Sequence, residues 1–162
     1  MDEEHESVAR GRRLVSGRED YELSGTYASA DELAQAILDA FLHSDPARLH
    51  ELHVTRSEFE QLFWPEFPQS RPATNIQPID AWGFHFAACS DGVMSGLTRH
   101  GGRQLFLQHV GYESGIAPYT NFTLYHGVVI EAVDDRGESV EVNVATVFAE
   151  RKGRWKVYMF NS

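Results

Sequence analysis

The chain has 162 residues, of which 42% are hydrophobic and 12% aromatic. This length and composition are typical of one globular domain with a hydrophobic core, and the chain is too short for two domains of ordinary size. Its net charge of −10, from 24 acidic and 14 basic side chains, repels phosphate backbones and anionic lipids, so we expect neither nucleic-acid nor membrane-surface binding. No apolar run approaches the roughly 20 residues of a membrane-spanning helix.

Two features bear on the compartment. The N-terminus lacks the basic-then-apolar pattern of a secretory signal, and the single cysteine, Cys89, excludes an internal disulfide without indicating a redox environment. We therefore expect a cytoplasmic protein, and the alternative is an exported protein whose signal has been removed.

The first 28 residues are polar and charged and lack sustained apolar periodicity. Such a composition is typical of a flexible arm, because it buries too little apolar surface to offset the entropy of ordering. The sequence therefore predicts an N-terminal arm over 1–28 and a folded domain over 29–162.

Three N-terminal capping signals predict three short helices before the first long loop. They are Ser29 with Glu32, Asp45 followed by Pro46, and Thr55 with Glu58. We expect the first helix to end near His43 and the third to stop at Pro65. The Pro-rich stretch over 66–77 is typical of a loop.

A longer helix is predicted from about Pro78 to about His100, ended by Gly101-Gly102 with the first glycine in the left-handed conformation. Apolar residues recur at helical spacing and predict the core-facing stripe. They are Trp82, Phe86, Cys89, Val93 and Leu97. The glycines within this span favour close approach of the helix to a sheet.

Alternating apolar and polar residues then predict four strands, at about 103–112, 119–133, 140–148 and 154–159. Gly127, in the middle of the longest strand, indicates a bulge or bend. Strict alternation places Tyr125 and Tyr158 on the face away from the core. The predicted fold class is α+β, with N-terminal helices packed on a curved antiparallel sheet of four or more strands.

This order of elements, and the closing hairpin from Glu150 to Tyr158 with its charged turn at Gly153, resembles the NTF2-like (SnoaL-like, cystatin-like cone) superfamily over roughly 29–160. The resemblance implies a cone-shaped cavity between sheet and long helix, in a family whose members isomerise, hydrate or only bind small molecules. It also implies a homodimer through the outer sheet face, by Tyr125, Val129 and Tyr158. Where the family usually has an early β-hairpin, this chain has the helix and loop over 55–78.

His126 interrupts an apolar strand face where the cavity of this family lies, so it is the first candidate for a general base or a ligand contact. Asp80 is the one carboxylate that we pair with it, although it also suits the helix N-terminus electrostatically. The competing interpretation of His126 is a hydrogen-bonded core histidine, or one that the bulge turns outward. We predict an apolar or aromatic ligand on six side chains. They are Trp82, His85, Phe86, Phe122, His126 and Trp155.

His85 and Cys89 stand at i and i+4, the spacing at which two helical side chains can share a metal ion. The remaining histidines show no recognised ligand spacing with them, so the sequence predicts no metal and no cofactor, and Cys89 is assigned to the core.

Three functions remain open at this point. The first is a non-catalytic small-molecule binding or protein-interaction module, and the alternative is a small-molecule isomerase, hydratase or cyclase that uses His126 and Asp80. The third is a structural domain whose cone is filled by side chains.

Overall fold

The computed structural model describes residues 21–25 and 27–161, which form an α+β domain with four α-helices and a five-stranded antiparallel sheet. The helices are α1 (Ala30–Leu42), α2 (Pro46–Leu52), α3 (Arg56–Glu58) and α4 (Pro78–His100). The strands are β1 (Phe106–Pro118), β2 (Thr123–Val133), β3 (Ser139–Val142), β4 (Ala145–Arg151) and β5 (Arg154–Phe160). Within these residues, none of the helices combines the length and the apolar character that crossing a membrane requires. Residues 1–20 of the predicted arm lie outside the described residues.

The three predicted helix starts are confirmed. The Ser29 hydroxyl accepts the backbone N–H of Glu32 at 3.1 Å, the Asp45 carboxylate caps α2, and Thr55 and Glu58 cap α3 reciprocally. Each side chain satisfies an N–H that has no partner inside its helix. After Glu58 the chain continues as one π-helical turn and then as three 3₁₀ turns, so the predicted loop is a series of tight turns.

The sheet has the strand order β1-β2-β4-β5, and β3 pairs with the far end of β2. The third predicted strand is thus two strands, interrupted at Asn143 and Val144. The first predicted strand is longer than its pattern indicated, since β1 continues to Pro118. Strand β1 pairs with β2 again after the register shift between Tyr112 and Gly115, which interrupts simple alternation. Strands β3 and β4 pair with separate parts of β2, on either side of residues 127–129.

The predicted bend at Gly127 is confirmed, and it corrects the predicted strand faces. Gly127 has a φ of 65°, and Ser114 of β1 lies 2.5 Å from where its Cβ would be. Tyr125 before the bend and Val128 after it both pack against the same core cluster, so the alternation of faces reverses there. Tyr125, predicted on the outer face, therefore lies against the core.

Helix α4 faces the core through part of the predicted stripe, because Cys89 and Val93 are buried and Leu97 packs against the core. Phe86 is 43% exposed, whereas the buried residues of α4 are His85, Cys89, Gly92, Val93, Gly96 and His100. A Cβ on Gly92 would lie 2.5 Å from the backbone of Phe160, and one on Gly96 would lie 2.9 Å from Val144, so these two glycines let the helix approach the sheet, as predicted. Gly83 has no atom within 4 Å of its would-be Cβ, so it serves no such approach. At the helix end it is Gly102, with a φ of 77°, that takes the left-handed conformation, and Gly101, with a φ of −58°, does not.

Two segments cover the open edge of β5. The backbone N–H of Trp155 donates to the Tyr27 carbonyl, and the N–H of Val54 donates to the Val157 carbonyl, both at 3.0 Å. The second contact belongs to a parallel bridge between His53 and Val157. The bridge fixes the residue after α2 against the last strand, and edge coverage of this kind protects a sheet from pairing with other chains.

Two apolar clusters make up the core. The larger one lies between the sheet and helices α1 and α4, and the smaller one lies under the π-helical turn. Leu23, from the predicted arm, is buried in the smaller cluster. Tyr158 also packs there, against Phe63 at a ring distance of 5.2 Å, and not on an outer face as predicted.

Candidate functional site

Three buried side chains converge between α2, α4 and β5. His53 Nε2 lies 2.9 Å from His85 Nε2 and 3.3 Å from Cys89 Sγ, and the third separation, between Cys89 Sγ and His85 Nε2, is 3.7 Å. Among the described residues they form a group of metal-ligating atoms all within 4.8 Å of one another. We call these three residues the His/Cys cluster.

Local structure explains the convergence. His85 and Cys89 stand one turn apart on the buried face of α4, so their side chains project in the same direction. His53 ends α2 in an extended conformation, and its bridge to Val157 directs it toward α4. Because α2 and α4 are packed on the same strand, the two imidazoles meet above β5.

Two atoms of β5 complete the surroundings of the cluster. The Tyr158 carbonyl oxygen lies 3.0 Å from His53 Nε2, and the thioether sulfur of Met159 lies 3.6 Å from Cys89 Sγ. Five atoms with lone pairs are thus linked by contacts of 2.9–3.7 Å. One proton on His53 Nε2 cannot bond the Tyr158 oxygen, His85 and Cys89 together, whereas a metal cation would accept several of these lone pairs at once.

Burial keeps the cluster neutral in the absence of metal. It lowers the pKa of His53 to about 3, with a further contribution from the neighbouring His85, and it lowers the pKa of His85 to about 4. Burial also raises the pKa of the Cys89 thiol to about 11. Neutral imidazoles are the form that binds metals, and a coordinating thiol gives up its proton to the cation.

Aromatic rings enclose the two imidazoles. Phe59 stacks on His85 with ring centres 5.0 Å apart, and Tyr158 lies 4.7 Å from the same ring. Trp82 stacks on His53 at 5.8 Å. An apolar wall of this kind limits water access and strengthens the bonds of a cation held inside it.

The spacing is close to that of a tetrahedral site. Bond lengths of about 2.0–2.1 Å to nitrogen and about 2.3 Å to sulfur imply separations of about 3.3 Å between two nitrogens and about 3.6 Å between nitrogen and sulfur. The cluster has 2.9 Å for the first, and 3.3 and 3.7 Å for the second. An ion would have to separate the imidazole nitrogens by about 0.4 Å, a small adjustment for two side chains.

Three of the six predicted ligand contacts lie together. Trp82 is 5.8 Å from His85 and 5.6 Å from Phe86 between ring centres, so Trp82 and Phe86 form a wall beside the His/Cys cluster, to which His85 belongs. Phe86 also stacks on His50 at 5.5 Å.

The remaining predicted residues lie elsewhere. Phe122 packs against Phe63 in the smaller core cluster, and Trp155 packs against Tyr125. His126 is half buried on β2, paired with Gly115 and Val147. Asp80 is exposed in the first turn of α4. Neither His126 nor Asp80 belongs to the His/Cys cluster, and their predicted catalytic role stays a hypothesis.

An open cavity of about 390 Å³ lies at the C-terminal end of β4, beside the hairpin to β5. Its walls include Phe122 and Arg151, and they do not include His126. The cavity is therefore separate from the His/Cys cluster, whose members are absent from its lining.

The sequence showed that His85 and Cys89 could share a metal ion but predicted no metal there, and it gave no place to His53. The spacing of His85 and Cys89 was visible because one helix carries both. His53 is 36 residues from Cys89, and only the fold brings it near. The sequence does place His53 directly after α2, at the start of a segment that can add to a sheet edge, and this position is the one signal for it.

Comparison of the chain with protein-family models, with curated proteins and with solved structures found no match.

Proposed function

We propose that this protein is a non-catalytic binding module whose ligand is a transition-metal ion, held by His53, His85 and Cys89. The observation that carries the proposal is the convergence of two imidazole nitrogens and one thiol sulfur at 2.9–3.7 Å. Nitrogen and sulfur donors select thiophilic and borderline ions such as Zn²⁺ and copper over Mg²⁺ or Ca²⁺.

Burial supports binding as the role of the site. His53 and Cys89 are 3% and 0% exposed, and aromatic rings enclose the two imidazoles. Catalytic zinc sites keep a position open for water or substrate, whereas structural and carrier sites are closed by protein. A closed site favours a stabilising or carrier role over hydrolysis.

The test is metal binding by the metal-stripped 162-residue chain. Titration with Co²⁺ is expected to give one equivalent bound per chain, with the thiolate-to-cobalt charge-transfer band and the d–d bands of a tetrahedral site. Zn²⁺ is expected to displace the cobalt and abolish the bands.

The matched variants are Cys89→Ser, His53→Gln and His109→Gln, the last of which alters an exposed histidine on β1. The first two are expected to lose the bands and the last to retain them. Circular dichroism of each metal-free variant separates lost binding from lost folding. No stoichiometric binding by the wild type, or equal binding by Cys89→Ser and His109→Gln, would overturn the proposal.

We also propose that the α+β fold is an NTF2-like cone. Support comes from helices that precede a bent antiparallel meander and from the close contact of α4 with β5. Under this proposal the domain carries its ligand between helix and sheet, where the His/Cys cluster lies. A homodimer, a small apolar ligand and a cytoplasmic location stay predictions, and sedimentation at micromolar concentration tests the first of them. The dimer would need residues other than Tyr125 and Tyr158, because both pack inside the domain.

A further inference from the structure

We propose that the ion is copper, bound as Cu(I) with the Met159 thioether as its fourth ligand. This inference rests on the proposed metal site and goes beyond it, because it names the ion and a ligand outside the His/Cys cluster. The observation is the separation of 3.6 Å between Cys89 Sγ and Met159 Sδ.

The geometry permits a bond to both sulfurs. An ion about 2.3 Å from Cys89 Sγ would lie roughly 2.1–2.8 Å from Met159 Sδ, for S–metal–S angles between about 110° and about 90°. This range covers both a normal metal–thioether bond and the long axial bond seen in copper sites. The separation of the two sulfurs is therefore compatible with one ion bound to both.

The fold holds the Met159 side chain close to the ion. Met159 lies in β5, is half buried and packs against the larger core cluster. Its carbonyl accepts a hydrogen bond from the Thr146 hydroxyl, and it pairs with Val147 of β4. Because Met159 lies in a paired strand, the sheet and not a mobile loop directs its side chain at the cluster.

The chemistry of the donor set then selects the ion. Thioether sulfur is a soft donor that binds Cu(I) well and contributes little to Zn²⁺, and two imidazoles, one thiolate and a distant methionine are the donors typical of copper sites. The Tyr158 carbonyl, 3.0 Å from His53 Nε2, is a second weak donor of the kind found in such sites. Zinc sites with a closed tetrahedron use a fourth imidazole or thiolate instead.

The experiment compares Met159→Leu with Met94→Leu in the 162-residue chain. Leucine preserves apolar volume and removes the sulfur, and Met94, 59% exposed on α4, is the matched control. Affinity for Cu(I) is measured anaerobically by competition with a chromophoric Cu(I) chelator, and affinity for Zn²⁺ by competition with a zinc indicator. X-ray absorption at the copper edge counts sulfur ligands.

Met159→Leu is expected to lower Cu(I) affinity roughly tenfold or more and to leave Zn²⁺ affinity within about threefold. The sulfur count should fall from two to one, and Met94→Leu should match the wild type. If Met159→Leu keeps the Cu(I) affinity and the sulfur count of the wild type, the copper assignment is wrong while the three-ligand site stands. If the wild type binds neither metal, the proposed function itself fails.

Discussion

Cys89 Sγ lies 3.3 Å from His53 Nε2, although 36 residues separate the two positions. Helix α4 supplies the thiol and the end of α2 supplies the imidazole, and both are held against β5. The contact therefore exists only in the folded chain. Metal binding at this point should be coupled to folding, because the unfolded chain cannot gather the ligands.

Metal should raise the melting temperature through this coupling. A free-ion concentration about 100 times the dissociation constant stabilises the folded state by about 2.7 kcal/mol, which corresponds to roughly 5–10 °C for a domain of this size. Differential scanning calorimetry with and without Zn²⁺ measures the shift. His109→Gln should retain it, and His53→Gln should lose most of it. An equal shift in both variants would mean that the ion binds elsewhere.

The metal-free protein should lose stability as the pH falls below the ordinary histidine pKa. Burial, aided by His85, lowers the pKa of His53 from 6.5 to about 3, and burial lowers the pKa of His85 to about 4. Between pH 6.5 and these lowered pKa values, the unfolded chain therefore binds more protons than the folded chain. The contribution of these two imidazoles to stability is complete above about pH 6.5 and declines as the pH drops toward 4, by at most about 2.7 kcal/mol per pH unit for two protons.

Urea unfolding of the metal-free chain between about pH 7.5 and about pH 5 measures this decline, above the range in which carboxylates titrate. His53→Gln should show a shallower dependence, reduced by up to one proton, and His109→Gln should follow the wild type. A free energy of unfolding that does not change across this interval would contradict the buried, neutral state of the two imidazoles.

Removing one partner of the buried ion pair between Glu58 and Lys156 should be strongly destabilising. The two side chains are each 3% exposed and their charged atoms lie 2.8 Å apart. Burial alone would raise the pKa of Glu58, but hydrogen bonds from Lys156 and from the backbone of Thr55 and Ser24 lower it. Lys156→Met leaves the carboxylate buried without its cation and should lower the free energy of unfolding by about 3–5 kcal/mol.

A double-mutant cycle checks this ion pair. Glu58→Gln combined with Lys156→Met should lower stability by less than the sum of the single changes, because the second change removes the charge that the first leaves unpaired. The exposed pair of Arg56 and Glu60 is the control and should show a coupling below about 1 kcal/mol. Simple additivity at Glu58 and Lys156 would show that the pair is not desolvated.

The same substitution at two glycines of α4 should have opposite effects. Gly83 has no atom within 4 Å of its would-be Cβ, whereas a Cβ on Gly92 would lie 2.5 Å from the backbone of Phe160 and Asn161. Gly83→Ala should therefore stabilise the protein by up to about 1 kcal/mol through helix propensity. Gly92→Ala should destabilise it by about 1–3 kcal/mol or more, because backbone atoms of β5 must move. Chemical denaturation measures both, and equal effects would mean that α4 does not approach β5 closely.

Local chemistry in the sequence determined where the helices begin. Ser29, Asp45 and Thr55 each cap a helix in the way their side chains predict, because capping depends on atoms within three residues. The bend at Gly127 was predictable for the same reason, since few residues other than glycine take a positive φ.

Tertiary packing decided which side of α4 is buried. The apolar spacing favoured Phe86, but Gly92 and Gly96 allow the closest approach, so the helix turns its small residues toward the sheet and leaves Phe86 43% exposed. Likewise the reversal at Gly127 places Tyr125 against the core. A hydrophobic pattern predicts whether a segment is a helix or a strand. The rotation of that helix or strand about its axis depends on the shape of the surface against which it packs.

In the candidate site, too, local sequence determined some of the contacts and tertiary packing determined the others. The sequence by itself determined that His85 and Cys89 share one face, since the helical repeat fixes their separation. Only the tertiary structure decided that His53 and Met159 join them, because their positions depend on the pairing of β5 with β4 and with the segment after α2. Contacts across 36 and 70 residues are set by how layers stack, and no local spacing rule encodes them.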